Sequence, residues 1–592
     1  MQHQQTRWQR ILSSLLYGRA VNRNVKAKAR LGLAVLLFAT VYCVIAGKLV
    51  FFAVNGEGRF GRQTIGQDAV ATARPDILDR NGEILATDVK SPSLFAEPRK
   101  LIDADEAVEL LTAVLPDLDA KEVRDRLSSK RGFVWLKREI TPKQQQEVHR
   151  LGIPGVGFLT ENKRVYPNGA IAAHEVGLVN IDNQGIAGIE KWLDGQGLAA
   201  LHMAGLASDR LQKPVDLALD LRVQFALRDE LIKAREKFKA IAAAGLVLNV
   251  NTGEIVSLVS EPDFDPNNPK EANNPTRINR LTTGVFEMGS TFKVITLAMA
   301  LDSGKATLNS SWDARAPLRL GRFAIHDDEP KGRFLSLPEV FTFSSNIGAA
   351  RIALACGVDA HKAFLRKMGL LDRLRTELPE SAEPIVPKRW GELNSATIAF
   401  GHGLSVAPLQ AMMALAATMN GGLLIPPTFL KRTPEQVAVV AKRVLKPQTS
   451  QEMRYLLRLN VEHGTGSKAN VAGYYVGGKT GTAEKVVNGR YAKHKLLTDF
   501  VAVLPADKPQ YLVLIMLDEP QPLKETYGFA TAGWNSAPVA AKVITRIAPL
   551  LDLAPRFDLP KADQLIFAKA SAPLPAPEKA RSTAEGSGLG VN

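Results

Sequence analysis

The feature that most constrains this chain is the apolar run from Leu31 to Val54, which reads LGLAVLLFATVYCVIAGKLVFFAV and carries one charge, Lys48, near its far end. Twenty-four residues at about 1.5 Å each suffice for a hydrocarbon layer roughly 30 Å thick, and a terminal lysine can snorkel to the interface. One transmembrane helix is expected over 31–54. The preceding residues, 1–30, hold seven basic side chains (Arg7, Arg10, Arg19, Arg23, Lys26, Lys28, Arg30) and no carboxylate, the first being Glu57. A cationic flank of this kind is retained in the cytoplasm, which places everything after about residue 55 outside the inner membrane. The triplet Ala69-Val70-Ala71 resembles a signal-peptide cleavage site. The apolar run is too long, and the triplet too far beyond it, for a cleaved leader.

Locating the charge changes what composition implies. The 592 residues sum to +15, a value that invites nucleic acid or an anionic surface as partner. Beyond residue 30 the balance is 68 basic against 60 acidic residues, a net of +8, so about half of the excess is a topology signal and no nucleic-acid partner is expected. Two cysteines, Cys43 and Cys356, exclude a disulfide-stapled scaffold and a thiolate metal cluster. The length exceeds one domain, and an apolar fraction of 45% excludes wholesale disorder. Gly56 to Gly61 matches G-x-G-x-x-G, but it lacks the flanking strand and helix of a dinucleotide site and reads as a linker.

Residues 55–215 mix short β-like runs with charged helical stretches such as Asp103 to Leu127, with no cluster of metal-ligating residues. Arg222 to Phe238 reads as an amphipathic helix, and Ala244 to Ser260 as a hairpin around Asn251-Thr252-Gly253. An α/β domain is expected over 216–555. The Ala-, Pro- and Lys-rich tail, 556–592, cannot bury enough apolar surface to order itself.

Three motifs in the large domain carry chemistry. Ser290-Thr291-Phe292-Lys293 sets an amine one turn from a hydroxyl, a nucleophile with a candidate base, provided that burial or a second cation keeps the amine neutral. Taken singly, S-x-x-K is a weak signal and Ser290 reads rather as a helix N-cap. Ser344-Ser345-Asn346 offers a proton relay and a substrate-gripping amide, or a cap for a helix from Ile347. Lys479-Thr480-Gly481-Thr482, after Gly477-Gly478, offers a positive field, hydroxyls for a carboxylate and a backbone that a ligand can approach, or simply a glycine-rich edge strand. The order S-x-x-K, S-x-N, K-T-G is the signature of penicillin-binding proteins and serine β-lactamases, with Ser345 where that signature has an aspartate.

With these motifs the chain resembles a class B penicillin-binding protein of the cell-division, FtsI type. Arg74 to Gly82, Arg164-Val165-Tyr166-Pro167, His174 to Gly177 and Gly185 to Glu190 are similar to the motifs of that family's non-catalytic pedestal, or dimerisation-type, domain. Pro75 stands in place of a usual glycine, and Met288 in place of a usual proline. The resemblance implies a penicillin-binding, β-lactamase-like α/β (α+β) transpeptidase fold behind one transmembrane helix and a mixed α/β pedestal. It also implies peptidoglycan D,D-transpeptidation at the septum. Ser290 is then the nucleophile, Lys293 its base, Ser344 and Asn346 the relay, Lys479 the electrostatic support, and Thr480, Gly481 and Thr482 the substrate-binding strand. The implied partners are stem peptides ending in D-Ala-D-Ala, β-lactams, the inner membrane and a glycosyltransferase of the FtsW type, because residues 55–216 do not resemble a glycosyltransferase. No cofactor is implied. An elongation-type transpeptidase, a β-lactamase and a vestigial septal scaffold are the competing readings.

Overall fold

A computed structural model describes residues 31–32, 34–47, 73–198, 213–487, 489–559 and 561–562. The basic segment 1–30, the Gly56–Gly61 linker and the tail beyond 562 lie outside the described residues, as do parts of the apolar run. Residues 34–47 within that run are helical, with Leu36, Phe38 and Tyr42 exposed. Among the described residues no helix is long and apolar enough to cross a membrane.

The chain forms two compact units. Beyond the N-terminal residues, the first comprises 92–161. Its expected helical stretch is two helices, Ala104–Val114 and Ala120–Leu127, capped by Asp103 and Asp119. Pro116 separates them, since it lacks an N–H and disfavours helix at the residue before it. Leu94, Leu111, Val123, Leu136 and Val148 fill the core of this unit.

The second unit, 71–91 with 162–592, holds all four of the N-terminal motif segments and the larger α/β domain. Three of the four motifs, those of Arg74, Arg164 and Glu190, meet in a buried ion cluster. Glu190 accepts from Arg74 Nε at 2.7 Å and Arg164 Nε at 2.6 Å, all three side chains being sealed from solvent. Asp194 and Asp88 bind the far sides of the two guanidiniums at 2.7 and 3.1 Å. The motif residues are thus structural: two buried cations are kept by three carboxylates.

The larger domain is built on a five-stranded antiparallel sheet. In chain order its strands are β1 (Ala242–Asn249), β2 (Ile255–Glu261), β3 (Gly477–Val487), β4 (Arg490–Leu504) and β5 (Tyr511–Asp518), arranged in space β3-β4-β5-β1-β2. The expected hairpin is β1–β2, with Gly253 at a φ of +75° in its turn. Alternate residues of one strand serve opposite faces. Val247 and Val513 pack with Leu227 and Leu231 of α1 (Leu221–Lys237) and with Val543 and Ile547 of a C-terminal helix. Leu246 and Leu514 face the larger core, which contains α2 (Lys293–Asp302). Every residue of α2 except Asp302 is buried, as its apolar sequence requires.

Candidate active site

Ser290 does not open the α-helix itself. It lies in a 3-10 turn, Gly289–Phe292, and α2 begins at Lys293. Lys293 still reaches back to Ser290, with Nζ 3.0 Å from Oγ. The turn is set by close packing: Gly289 has a φ of +52°, and a Cβ there would lie 2.5 Å from the carbonyl oxygen of Thr482 on β3. The Ser290 turn and the K-T-G strand are therefore closely packed, backbone against backbone.

The S-x-N motif combines a helix cap with contacts to both lysines. Ser345 caps α3 (Asn346–Cys356), accepting from Gly348 N at 2.9 Å and donating to Asp327 Oδ2 at 2.7 Å. Ser344 is left-handed, with a φ of +57°. It turns its hydroxyl and carbonyl towards Lys293, whose Nζ donates to Ser344 Oγ at 3.0 Å, to Ser344 O and to Asn346 Oδ1 at 2.7 Å. Lys479 Nζ donates to the same Ser344 hydroxyl at 3.0 Å, so this one side chain joins the two lysines. Asn346 Nδ2 is held by the carbonyl of His326 at 3.1 Å.

Both lysines are fully buried. Burial, and then the neighbouring charge of Lys479, hold the Lys293 amine well below the ordinary lysine range. Burial pushes Lys479 down to about 7, opposed by the charge of Asp499. The site thus has an amine biased to be neutral beside the serine hydroxyl and a second amine that titrates near neutrality.

On β3, Thr480 shares a hydrogen bond with Thr465 at 2.7 Å, and Thr482 Oγ1 accepts from Ala532 N at 3.2 Å. Asn460 of α4 (Pro447–His463) grips the strand through Gly478 O at 2.8 Å. All the residues singled out in the three motifs therefore lie at one place: Ser290, Ser344 and Asn346 on Lys293, Lys479 on Ser344, and Thr480 to Thr482 along the adjoining strand. Asp327, Asn460, Thr465 and Asp499 were missed. They come from loops, strands and a helix with no motif of their own, and only the fold brings them near.

A serine with a buried, neutral-biased amine, bridged by a second serine to another lysine beside an edge strand, defines the serine acyl-transferases of the penicillin-recognising kind. Residues 243–545 match the penicillin binding protein transpeptidase domain, and residues 69–195 the penicillin-binding protein dimerisation domain. The chain is 40% identical over 524 residues to a "Probable peptidoglycan D,D-transpeptidase FtsI" of Caulobacter vibrioides, covering 87% of this chain and 86% of the relative. It is 30% identical over 518 residues to peptidoglycan D,D-transpeptidase FtsI of Escherichia coli K12, covering 82% and 85%. A crystal structure of a peptidoglycan synthetase from Bifidobacterium adolescentis shares the fold, with a TM-score of 0.64 over 83% of this chain and 98% of that one at 21% identity. The chain belongs to the class B penicillin-binding proteins and is a peptidoglycan D,D-transpeptidase of the FtsI type.

Proposed function

We propose that Ser290 forms the acyl-enzyme of septal peptidoglycan cross-linking, with the chain held in the inner membrane by residues 31–54. The observation that carries the assignment is the 3.0 Å approach of a fully buried Lys293 amine to Ser290 Oγ. Neutral Lys293 takes the serine proton as Oγ adds to the carbonyl between two terminal D-alanines. The tetrahedral oxyanion forms between the backbone N–H groups of Ser290 and Thr482, each donor contributing roughly 3 kcal/mol. As the intermediate collapses, the proton passes from Lys293 by way of Ser344 to the departing D-alanine amine, and the stem peptide remains esterified to Ser290. A neighbouring stem's amine then attacks that ester, gives its proton to the same relay and regenerates Ser290. Lys479 favours the negative charge that develops, and Thr480 and Thr482 bind the terminal carboxylate. β-Lactams enter by the first step and stay as the ester.

The exposed apolar side chains of residues 34–47 and the cationic flank before them support a single-pass anchor with the catalytic domain in the periplasm. The resemblance to the division paralogue supports action at the septum beside a membrane-embedded polymerase of the FtsW type. Labelling with a fluorescent penicillin tests the chemistry. Covalent label on the wild type and none on Ser290→Ala is the expected pair, and an unlabelled wild type refutes the assignment. Rapid loss of label marks a lactamase instead, and placement along the lateral wall in dividing cells contradicts the septal role.

A further inference from the structure

Behind the strand that carries Lys479 lies a carboxylate that none of these steps uses. Asp499 is on β4, directly opposite Gly481 of β3 in register, and is 1% exposed. Its Oδ1 accepts from the hydroxyl of Thr291, the residue after Ser290. Its Oδ2 has no hydrogen-bond partner among the described residues. A Cβ on Gly481 would lie 2.2 Å from Asp499 Oδ2 and 2.4 Å from Thr291 Oγ1, so the room left by this glycine is filled by the carboxylate and its donor.

A carboxylate so enclosed persists only where hydrogen bonds and an opposite charge offset its desolvation. Lys479 stands two residues from Gly481 on β3, hence on the same face of the sheet as Asp499, and its charge acts on the carboxylate. The register neighbour of Asp499 on β5, Met516, is apolar, and Thr291 is neutral. Lys293 faces Lys479 in turn across the Ser344 hydroxyl. Burial drives Asp499 up to about 7 while Thr291 and Lys479 pull it back, and Asp499 in turn resists the fall of Lys479.

We propose that Asp499 is a positioning residue for acyl transfer: through Thr291 it ties the turn presenting Ser290 to β4, the strand paired with the one that presents Lys479, and it sets a carboxylate on the face of the sheet that carries Lys479. The inference rests on the roles given above to Ser290 and Lys479. A protonated Lys479 beside a neutral Lys293 is the active combination, so the alkaline limb of acylation reports loss of the Lys479 proton. Removing the carboxylate's charge lets that proton leave at lower pH.

The test is the second-order rate of fluorescent-penicillin acylation, measured against pH on the full chain in detergent micelles. Asp499→Asn keeps the shape and an acceptor for Thr291 but removes the charge. The expected result is an alkaline limb about one pH unit lower, the smaller end of the shift that one adjacent charge produces, with acylation at pH 8 slower by about tenfold. A limb that superimposes on that of the wild type overturns the inference and leaves the proposed function standing, whereas a wild type that takes no label overturns both. Should Asp499→Asn lack a cooperative melting transition, Thr291→Val and Thr291→Ser decide. A valine variant slower by about tenfold than the serine variant supports the tie, taking that factor as about 1.4 kcal/mol of transition-state stabilisation; equal rates overturn it.

Discussion

Gly289→Ala is the sharpest probe of how the nucleophile is placed. The backbone there has a φ of +52°, which costs an alanine about 1–2 kcal/mol. The new Cβ would stand 2.5 Å from Thr482 O and 2.9 Å from Thr482 C, where ordinary contact begins at 3.4 Å. The two backbones must therefore separate by nearly an ångström, with a further overpacking cost of about 1–3 kcal/mol. Total destabilisation of about 2–5 kcal/mol is expected. The functional loss is larger than that figure suggests, because the moving parts are Ser290 and the Thr482 backbone, the two sides proposed to hold the oxyanion. A misplacement of about 1 Å costs about a hundredfold in rate. The assay is the acylation constant with a fluorescent penicillin, paired with thermal unfolding of the same sample. Gly304→Ala is the control: it has a φ of +71° with nothing within 4 Å of its Cβ, so it carries the backbone penalty without the collision. It is expected to lose about 1 kcal/mol of stability and no acylation rate. The reasoning fails if Gly289→Ala acylates within about threefold of wild type, or if both variants lose activity equally.

In the pedestal, Glu190→Ala leaves two buried guanidiniums short of an acceptor. Each keeps one carboxylate, Asp194 for Arg74 and Asp88 for Arg164, so the loss should sit at the lower end for a broken buried pair, about 3 kcal/mol by denaturant unfolding. A loss below about 1 kcal/mol would show the cluster to be incidental. Glu175, fully buried, accepts from Leu258 N at 3.0 Å and Gln224 Nε2 at 3.1 Å, and burial raises its pKa well above 4.5. A folded-state value above the unfolded one gives a contribution that is complete below 4.5 and is lost as pH rises towards the folded value. Glu175→Gln removes that loss, so its stability relative to wild type should climb with pH above 4.5, and a flat difference from pH 4 to 8 would contradict the burial argument. Ser345→Ala removes the α3 cap and orphans Asp327 Oδ2, for an expected cost of about 1–2 kcal/mol in thermal unfolding while penicillin labelling persists.

What could be read from the sequence was local. The three- and four-residue periodicity predicts α1, Asn251-Thr252-Gly253 predicts the β1–β2 turn, and the S-x-x-K spacing brings an amine to a hydroxyl whether the turn is 3-10 or α-helical. Other features depend on contacts across long stretches of chain. Asp499 meets Thr291 across 208 residues, and Asp327 reaches Ser345 from a loop between short strands. No spacing rule announces either. The left-handed Ser344, whose carbonyl accepts from Lys293, is a further case.

That residue also shows why three short motifs suffice where single residues are ambiguous. From the residues alone, Ser344 to Asn346 read as a proton relay or as a helix cap. The structure gives the cap to Ser345, which donates to Asp327, and leaves Ser344 and Asn346 on Lys293. A capped helix start fixes the backbone on one side of the turn, and the left-handed residue before it faces the site. The fold thus places a cap at the middle position, and its two neighbours are left on Lys293. It follows that an aspartate at 345 would still cap α3, since aspartate is among the best N-caps, but it would stand beside Asp327 as a second buried carboxylate. Ser345→Asp is therefore expected to destabilise this chain by about 1–3 kcal/mol in denaturant unfolding, and the double change with Asp327→Asn to recover most of it. Equal stability of the single and double variants would show that Asp327 does not set which residue this turn accepts.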